Sequence, residues 1–210
     1  MENTTKERIL QEALICFAEN GYKGTNLRDL AAQLGLSKSA LYRHYTSKEE
    51  IWNAIIERMT AHYNAHFGSA EHLTPVPNSC EELAALAMGM VNFTMHDEQI
   101  ILTRKMLLMA QFHDERAKKL ATEHFLLGTK RIYTEIFRQM IAKELLVSCD
   151  PEMMALAFTA PITVLIHTCD REPEREPEIM REIEGFVQHF IRMYGRTQVD
   201  KSAGGSKQTN

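Results

Sequence analysis

Apolar residues recur along most of the chain at helical spacing, and the gaps between runs fall at glycines, prolines and capping residues. The first run, Ile9, Leu10, Ala13, Leu14, Phe17 and Ala18, follows the capping box Thr4-x-x-Glu7 and stops at Gly21. Asn26 stands where it can cap a second helix carrying Leu27, Leu30, Ala31 and Leu34, with Asp29 in its first turn and Gly35 at its end. Ser37 caps a third helix bearing Ala40, Leu41 and Tyr45. Ser47-x-x-Glu50 opens a fourth through Ile51, Trp52, Ile55, Ile56 and Met59.

After about Phe67 the pattern lapses in GSAEHLTPVPNS, which cannot continue a helix and predicts a linker. Ser79-x-x-Glu82 opens the next helix with Leu83, Leu86, Ala87, Met90 and Phe93 in register, and Asp97 caps another through Ile101 and Leu102. Glu115 to Leu146 reads as one long helix, with Gly128 tolerated inside it. Asp150-Pro151 is a firm start, and the helix that follows runs to about Asp170 with a kink predicted at Pro161. REPEREPE reads as a loop. A last helix, Glu178 to Tyr194, carries Ile179, Ile183, Phe186, Val187 and Phe190 on one face and ends at Gly195. No strand pattern and no internal repeat emerges, so the expected fold is all-α, with a disordered tail over 197–210.

Composition narrows the class. A chain of 210 residues can bury a core without cross-links. Cys16, Cys80, Cys149 and Cys169 are scattered without a CxxC pair, which argues against a zinc ribbon or a thioredoxin-like motif and fits a reducing compartment. The N-terminus lacks the apolar core of a signal peptide, and the stretch from Ala155 to Ile166 is short and interrupted by Thr and Pro. A soluble, cytoplasmic protein is expected. The net charge of -4 runs against nucleic-acid binding until its distribution is read. Over residues 1–48, Lys6, Arg8, Lys23, Arg28, Lys38, Arg43 and Lys48 outnumber Glu2, Glu7, Glu12, Glu19 and Asp29, so a basic segment precedes an acidic body.

A short helix, a glycine turn and a capped second helix over residues 27–46 have helix-turn-helix spacing, in which the second helix enters the major groove of DNA. The spacing alone is shared by many helical proteins. The residue types add to it: with Leu41 and Tyr45 turned inward, Lys38, Ser39, Tyr42 and Arg43 are left outside, all hydrogen-bond donors. From Leu36 to Lys48 there is no acidic residue.

These residues also carry a resemblance. TKERILQEALICFAENG followed by GYKGTNLRDLAAQLGLSKSALYRHYTSKEEI closely resembles the N-terminal DNA-binding domain of the tetracycline-repressor (TetR) family, over roughly the first 60 residues. Gly21-Tyr22, Thr25, Arg28 to Ala31, Leu34 to Ser37, Leu41-Tyr42 and Ser47 to Glu50 sit where that pattern expects them; Asn26 stands where the family more often has Thr or Ser. The resemblance implies a three-helix DNA-binding domain over 1–60 and a helical ligand-binding and dimerisation domain over 61–196. It implies that Thr25, Arg28, Tyr42, His44 and Lys48 touch the DNA backbone and that Ser37, Lys38, Ser39, Ala40 and Arg43 line the groove-facing surface. The protein would be a homodimer joined through helices 151–170 and 178–194, most often a repressor released from a palindromic operator by a small molecule.

The acidic body is rich in Met and aromatic residues. Met88, Met90, Phe93, Met106, Met109, Phe112, Phe125, Tyr133 and Phe137 suit either a plain core or an adaptable apolar pocket. Only the resemblance favours the pocket, for a largely apolar effector with His113 or Tyr133 as polar anchors. His62 and His66, one helical turn apart, are the only metal-like spacing, and no acidic or cysteine partner lies at a recognisable distance, so neither metal nor cofactor is expected. No nucleophile elbow, phosphate-binding loop or paired-carboxylate motif supports an enzyme. The competing reading is a constitutive DNA-binding dimer with a filled core and no effector.

Overall fold

A computed structural model describes residues 4–69, 72–73 and 76–196 of the protein. Ten α-helices follow one another among these residues: α1 Thr5–Gly24, α2 Leu27–Gln33, α3 Lys38–Tyr42, α4 Lys48–Phe67, α5 Cys80–His96, α6 Glu98–Ala110, α7 Glu115–Thr122, α8 Gly128–Ala142, α9 Pro151–Arg171 and α10 Glu176–Tyr194. The expected tail over 197–210 lies outside the described residues.

The contacts group the chain into two compact units. One comprises Met1–Phe67 and Thr94–Glu123, the other Gly68–Phe93 and His124–Asn210. In the first, α1 packs along α6, which also meets α4 and α7. Its core is Ile9, Leu14, Phe17, Leu30, Leu41, Tyr45, Ile51, Trp52, Ile55, Met106 and Leu107, all buried. The helices α1 and α4 that flank the helix-turn-helix segment therefore pack on α6, which lies far from them in sequence. In the second unit α9 packs between α8 and α10. Phe158 is its centre, with the rings of Tyr133, Phe137, Phe186 and Phe190 at 4.6 to 5.9 Å.

Local chemistry sets most helix starts. Thr4 and Glu7 close the capping box in both directions, and Asn26, Ser37, Asp97 and Asp150 each accept an N–H of the following turn. Pro151 stands at the start of α9, where its missing N–H has no intrahelical partner to lose.

Four expectations are corrected. The long helix over Glu115 to Leu146 is three segments: α7, a π-helical turn Glu123–Leu127, and α8, which ends at Ala142. Glu144 leaves α8 with φ of 56°, and the N–H of Leu145 reaches back to the Met140 carbonyl, so a left-handed residue closes the helix without glycine. The linker after α4 contains a two-residue antiparallel pair, Gly68–Ser69 with His72–Leu73, too short to leave an alternating pattern. The charged loop is only a 3-10 turn, Pro173–Arg175, and α10 begins at Glu176. Finally, the apolar stretch read as short and interrupted belongs to α9, which is long and apolar enough, by length and composition, to cross a membrane; in this unit it packs against α8 and α10.

The C-terminal end of α10 is fastened to the segment before α9. Val147 donates its N–H to Tyr194, Arg196 donates to Leu145, and Leu146 bridges Gly195. A Cβ at Gly195 would lie 2.6 Å from the Ile191 carbonyl oxygen and 2.9 Å from Cys80 Sγ, so only glycine fits.

Candidate nucleic-acid interface

The recognition element is built outward from a small buried frame. Gly21, with φ of 70°, turns the chain out of α1. Thr25 then anchors the connection: it is 6% exposed, and its hydroxyl oxygen lies 3.0 Å from the Cys16 carbonyl and 2.9 Å from that of Gly21. Asn26 Oδ1 accepts the Arg28 N–H at 2.9 Å and starts α2. At the far end Gly35, with φ of 68°, lets the Leu36 N–H reach the Ala31 carbonyl at 2.8 Å and directs the chain into α3. The Ser37 hydroxyl accepts the Ala40 N–H at 3.1 Å.

The helix that follows is short, and a tight turn through the N–H groups of Arg43, His44 and Tyr45 extends it. Leu41 and Tyr45 are buried. Ser37, Lys38, Ser39, Tyr42, Arg43 and His44 are exposed together, with Ala40 half-buried among them, and Arg28 is exposed on α2. This is the outer face expected from the sequence. Lys38 Nζ stands 5.7 Å from the centre of the Tyr42 ring, and Ser37 Oγ lies 3.0 Å from Ser39 Oγ. A cluster of donors with no carboxylate among them suits an anionic, acceptor-rich partner.

Two residues expected to contact phosphate are engaged inside the protein. The Thr25 hydroxyl has no donor left to offer. Lys48 donates from Nζ to the Tyr22 and Thr25 carbonyls at 2.6 and 2.8 Å and lies 4.6 Å over the Tyr22 ring. Burial lowers its pKa. Of three ammonium protons, one remains for an external acceptor. Tyr22, named from the sequence only as part of the family pattern, packs edge-on against Trp52 with centroids 5.1 Å apart and forms the floor on which Lys48 rests.

The eight apolar residues and the histidine read as candidate pocket lining are not gathered in one unit. Met106, Met109, Phe112 and His113 belong to the first unit, and Met90, Phe93, Phe125, Tyr133 and Phe137 to the second. Met106 and Phe137 are fully buried, whereas Met109 and Phe112 are 46% and 81% exposed. In the second unit the Tyr133 hydroxyl donates to Met90 Sδ at 3.4 Å. Phe125 packs edge-on against His167 at 5.0 Å.

His62 and His66 are neighbours, with ring centres 5.8 Å apart, and His62 Nε2 lies 2.8 Å from Asp97 Oδ2. A partner 35 positions away leaves no spacing signal. Among the described residues no three His, Cys, Asp or Glu side chains gather as a metal site. Burial raises the Cys16, Cys80 and Cys149 thiols, favouring the unreactive protonated form.

Comparison with known proteins places this geometry. Residues 9–55 match a family model described as bacterial regulatory proteins, tetR family. Over 52 residues the chain is 40% identical to the biofilm operon icaADBC HTH-type negative transcriptional regulator IcaR of Staphylococcus epidermidis; the match takes in 25% of this chain and 28% of that protein. The whole fold is similar to SmeT, the repressor of the Stenotrophomonas maltophilia multidrug efflux pump SmeDEF, with a TM-score of 0.67, 22% identity and coverage of 94% and 93% of the two chains. Against the SmeT-triclosan complex the TM-score is 0.75, at 22% identity and 94% of each chain. An Aquifex aeolicus transcriptional regulator gives 0.68 at 22% identity, covering 88% of this chain and 98% of that one. At such identities these structures establish the fold.

Proposed function

We propose that the chain, whose N-terminal segment matches the family model of bacterial regulatory proteins of the TetR family, is a homodimeric transcriptional regulator of that family that binds a palindromic operator and represses transcription. The observation that carries this reading is the outer face of α3. Ser37, Lys38, Ser39, Ala40 and Arg43 are presented to the base edges, flanked by Arg28, Tyr42 and His44 for phosphate, while Leu41 and Tyr45 hold the helix from below. The IcaR relative, named as a negative regulator, supports repression through the matched segment. Its role is binding rather than catalysis, in the cytoplasm.

Dimerisation draws support from the second unit. Met153 and Val164 on α9 are 59% and 63% exposed and stand three turns apart on the same face, with exposed Ala157 between them; Met193 on α10 is 61% exposed. A second copy covering this face through α9 and α10 would bury it in an isologous four-helix bundle. The same contact accounts for the apolar character of α9 without a membrane.

The effector is a small, largely apolar molecule, a reading supported by fold similarity to a protein crystallised with triclosan. Within the second unit its candidate lining is Met90, Phe93, Phe125, Tyr133 and Phe137. The complete burial of Met106 and Phe137 favours a second reading, a constitutive dimer with a filled core. A thermal-shift screen of apolar compounds separates the two, because ligand-dependent stabilisation requires a site.

The decisive experiment is selection from a random duplex pool by the purified protein at physiological salt. A palindrome with half-sites about one helical turn apart, roughly 34 Å, is the expected product. Recovery of no preferred sequence by a folded dimer, and again by the full chain refolded from denaturant to free it of ligand, would overturn the reading.

A further inference from the structure

The first turn of α4 is a junction. Lys48 reaches back to the carbonyls of the α1–α2 connection, and its neighbour Glu49 reaches the other way, to Arg116 on α7. Arg116 is itself held at its base. Its Nη2 lies 3.3 Å from Asp114 Oδ2, and Asp114 Oδ1 accepts the N–H groups of Arg116 and Ala117 at 2.8 and 3.1 Å, capping α7. The guanidinium thus arrives at Glu49 from a fixed helix start rather than on a loose stem, which reduces the ordering cost of the pair. All these residues belong to the same compact unit.

We propose that Arg116 is a positioning residue for DNA binding: it holds the first turn of α4 through Glu49, so that Lys48 stays over Tyr22 and fixes the turn from which α2 begins. This rests on the reading of the helix-turn-helix as the DNA-contacting element. Arg116 lies outside that element and acts on it through two residues adjacent in sequence that face opposite partners. The Arg116 pKa is raised, by Asp114 first, with Glu49 and the Tyr22 side chain adding to it. The guanidinium and the Glu49 carboxylate are 41% and 59% exposed, so the contact adjusts geometry more than it supports global stability.

The test uses the full-length protein and a labelled duplex recovered by wild type from the random pool, with affinity measured across a salt series. Arg116→Ala is expected to bind about fivefold more weakly, the scale of one partly exposed ion-pair network, with the salt slope unchanged. Glu49→Ala removes a negative charge and on charge alone would strengthen binding; weakening is the outcome positioning gives. The double variant should be no weaker than the worse single one, because both break the same link.

Trp52 is the only tryptophan and touches both Tyr22 and Phe17, so its emission reads the junction without DNA and should shift in Arg116→Ala. Wild-type affinity in Arg116→Ala, tighter binding, additive losses in the double variant, or a salt slope lower by about one unit, the sign of a direct phosphate contact, would each overturn the proposal. If Arg116→Ala melts below the assay temperature, Arg116→Lys carries the same test, with partial weakening expected and wild-type binding overturning it. If wild type binds no duplex, the DNA-binding reading fails on its own. Trp52 emission then decides the junction, and an unchanged spectrum in a folded Arg116→Ala ends it.

Discussion

Lys48 Nζ lies 2.6 Å from the Tyr22 carbonyl oxygen and directly over the ring of the same residue, so one side chain both terminates a turn and is seated by it. Its charge therefore serves the fold before it serves a ligand. Lys48→Met should lower stability by about 1.5 kcal/mol, the low end for charge-assisted hydrogen bonds, and lower Tm by about 3 to 6 °C for a chain of this size. Arg28, exposed on α2, makes the contrasting case. Arg28→Ala should leave Tm nearly unchanged and reduce the salt slope of DNA binding by about one unit, whereas Lys48→Met should weaken binding with a smaller change in slope. Equal slopes lost in both variants would place Lys48 on phosphate as firmly as Arg28.

Arg43 stands where α3 gives way to its closing turn, exposed beside Tyr42 and His44. If it reads a base edge, Arg43→Ala should cost about 1 to 3 kcal/mol on the preferred duplex and broaden the selected sequence at one position per half-site. A loss that is uniform across sequences would assign it to the backbone instead.

The helix starts were legible because each is written within three or four residues: an acceptor side chain and the N–H it will take are neighbours in sequence, as at Thr4, Asn26, Ser37, Asp97 and Asp150. The donor face of α3 was legible for the same reason, since its inward and outward residues alternate within two turns. What escaped was set by distance or by missing signals. Lys48 folds back 26 positions to Tyr22, Arg116 reaches 67 positions to Glu49, and His62 meets Asp97 across 35. No local pattern encodes such pairings. The stop of α8 escaped because the residue that turns left-handed is Glu144, where glycine or asparagine would have announced it.

That irregularity can be tested. A left-handed conformation costs a residue with a Cβ about 1 to 2 kcal/mol, and Glu144 adopts it with its side chain exposed. Glu144→Gly should raise stability by about 1 kcal/mol, partly offset by the greater freedom of glycine in the unfolded chain. Urea denaturation at fixed protein concentration measures it, and a destabilised variant would mean that the carboxylate has a role the turn geometry does not express.

Val164 offers a test of the dimer that spares the fold. Its side chain is 63% exposed in the single chain, so a charge there costs that chain little. In a symmetric bundle the same position meets its own copy or a near neighbour, and Val164→Glu would bury two carboxylates of like charge. Sedimentation equilibrium should show monomers where wild type is dimeric, with helicity retained. DNA affinity should fall by more than tenfold as two linked heads become one. A dimer that survives this change would place the contact elsewhere than α9.

Acid should act through the helix caps of α6 and α7. Burial alone would raise the Asp97 carboxyl, but the bond from His62 and the N–H of Ile100 outweigh it and hold the pKa below its usual value. Asp114 is likewise pushed up by burial and held down by the N–H of Ala117 and by Arg116. A folded-state pKa below the unfolded one means that the unfolded chain binds more protons, so the stability these groups contribute is fully present above about pH 4 and is lost as pH falls through the folded values. Wild type should therefore lose stability progressively on acidification below about pH 4. Asp97→Asn and Asp114→Asn, which keep a capping oxygen but cannot be protonated, should begin less stable at pH 7 and decline more shallowly. Urea midpoints between pH 7 and 3, at one protomer concentration, read both effects, and parallel curves for wild type and both variants would show that these carboxylates do not govern the acid limb.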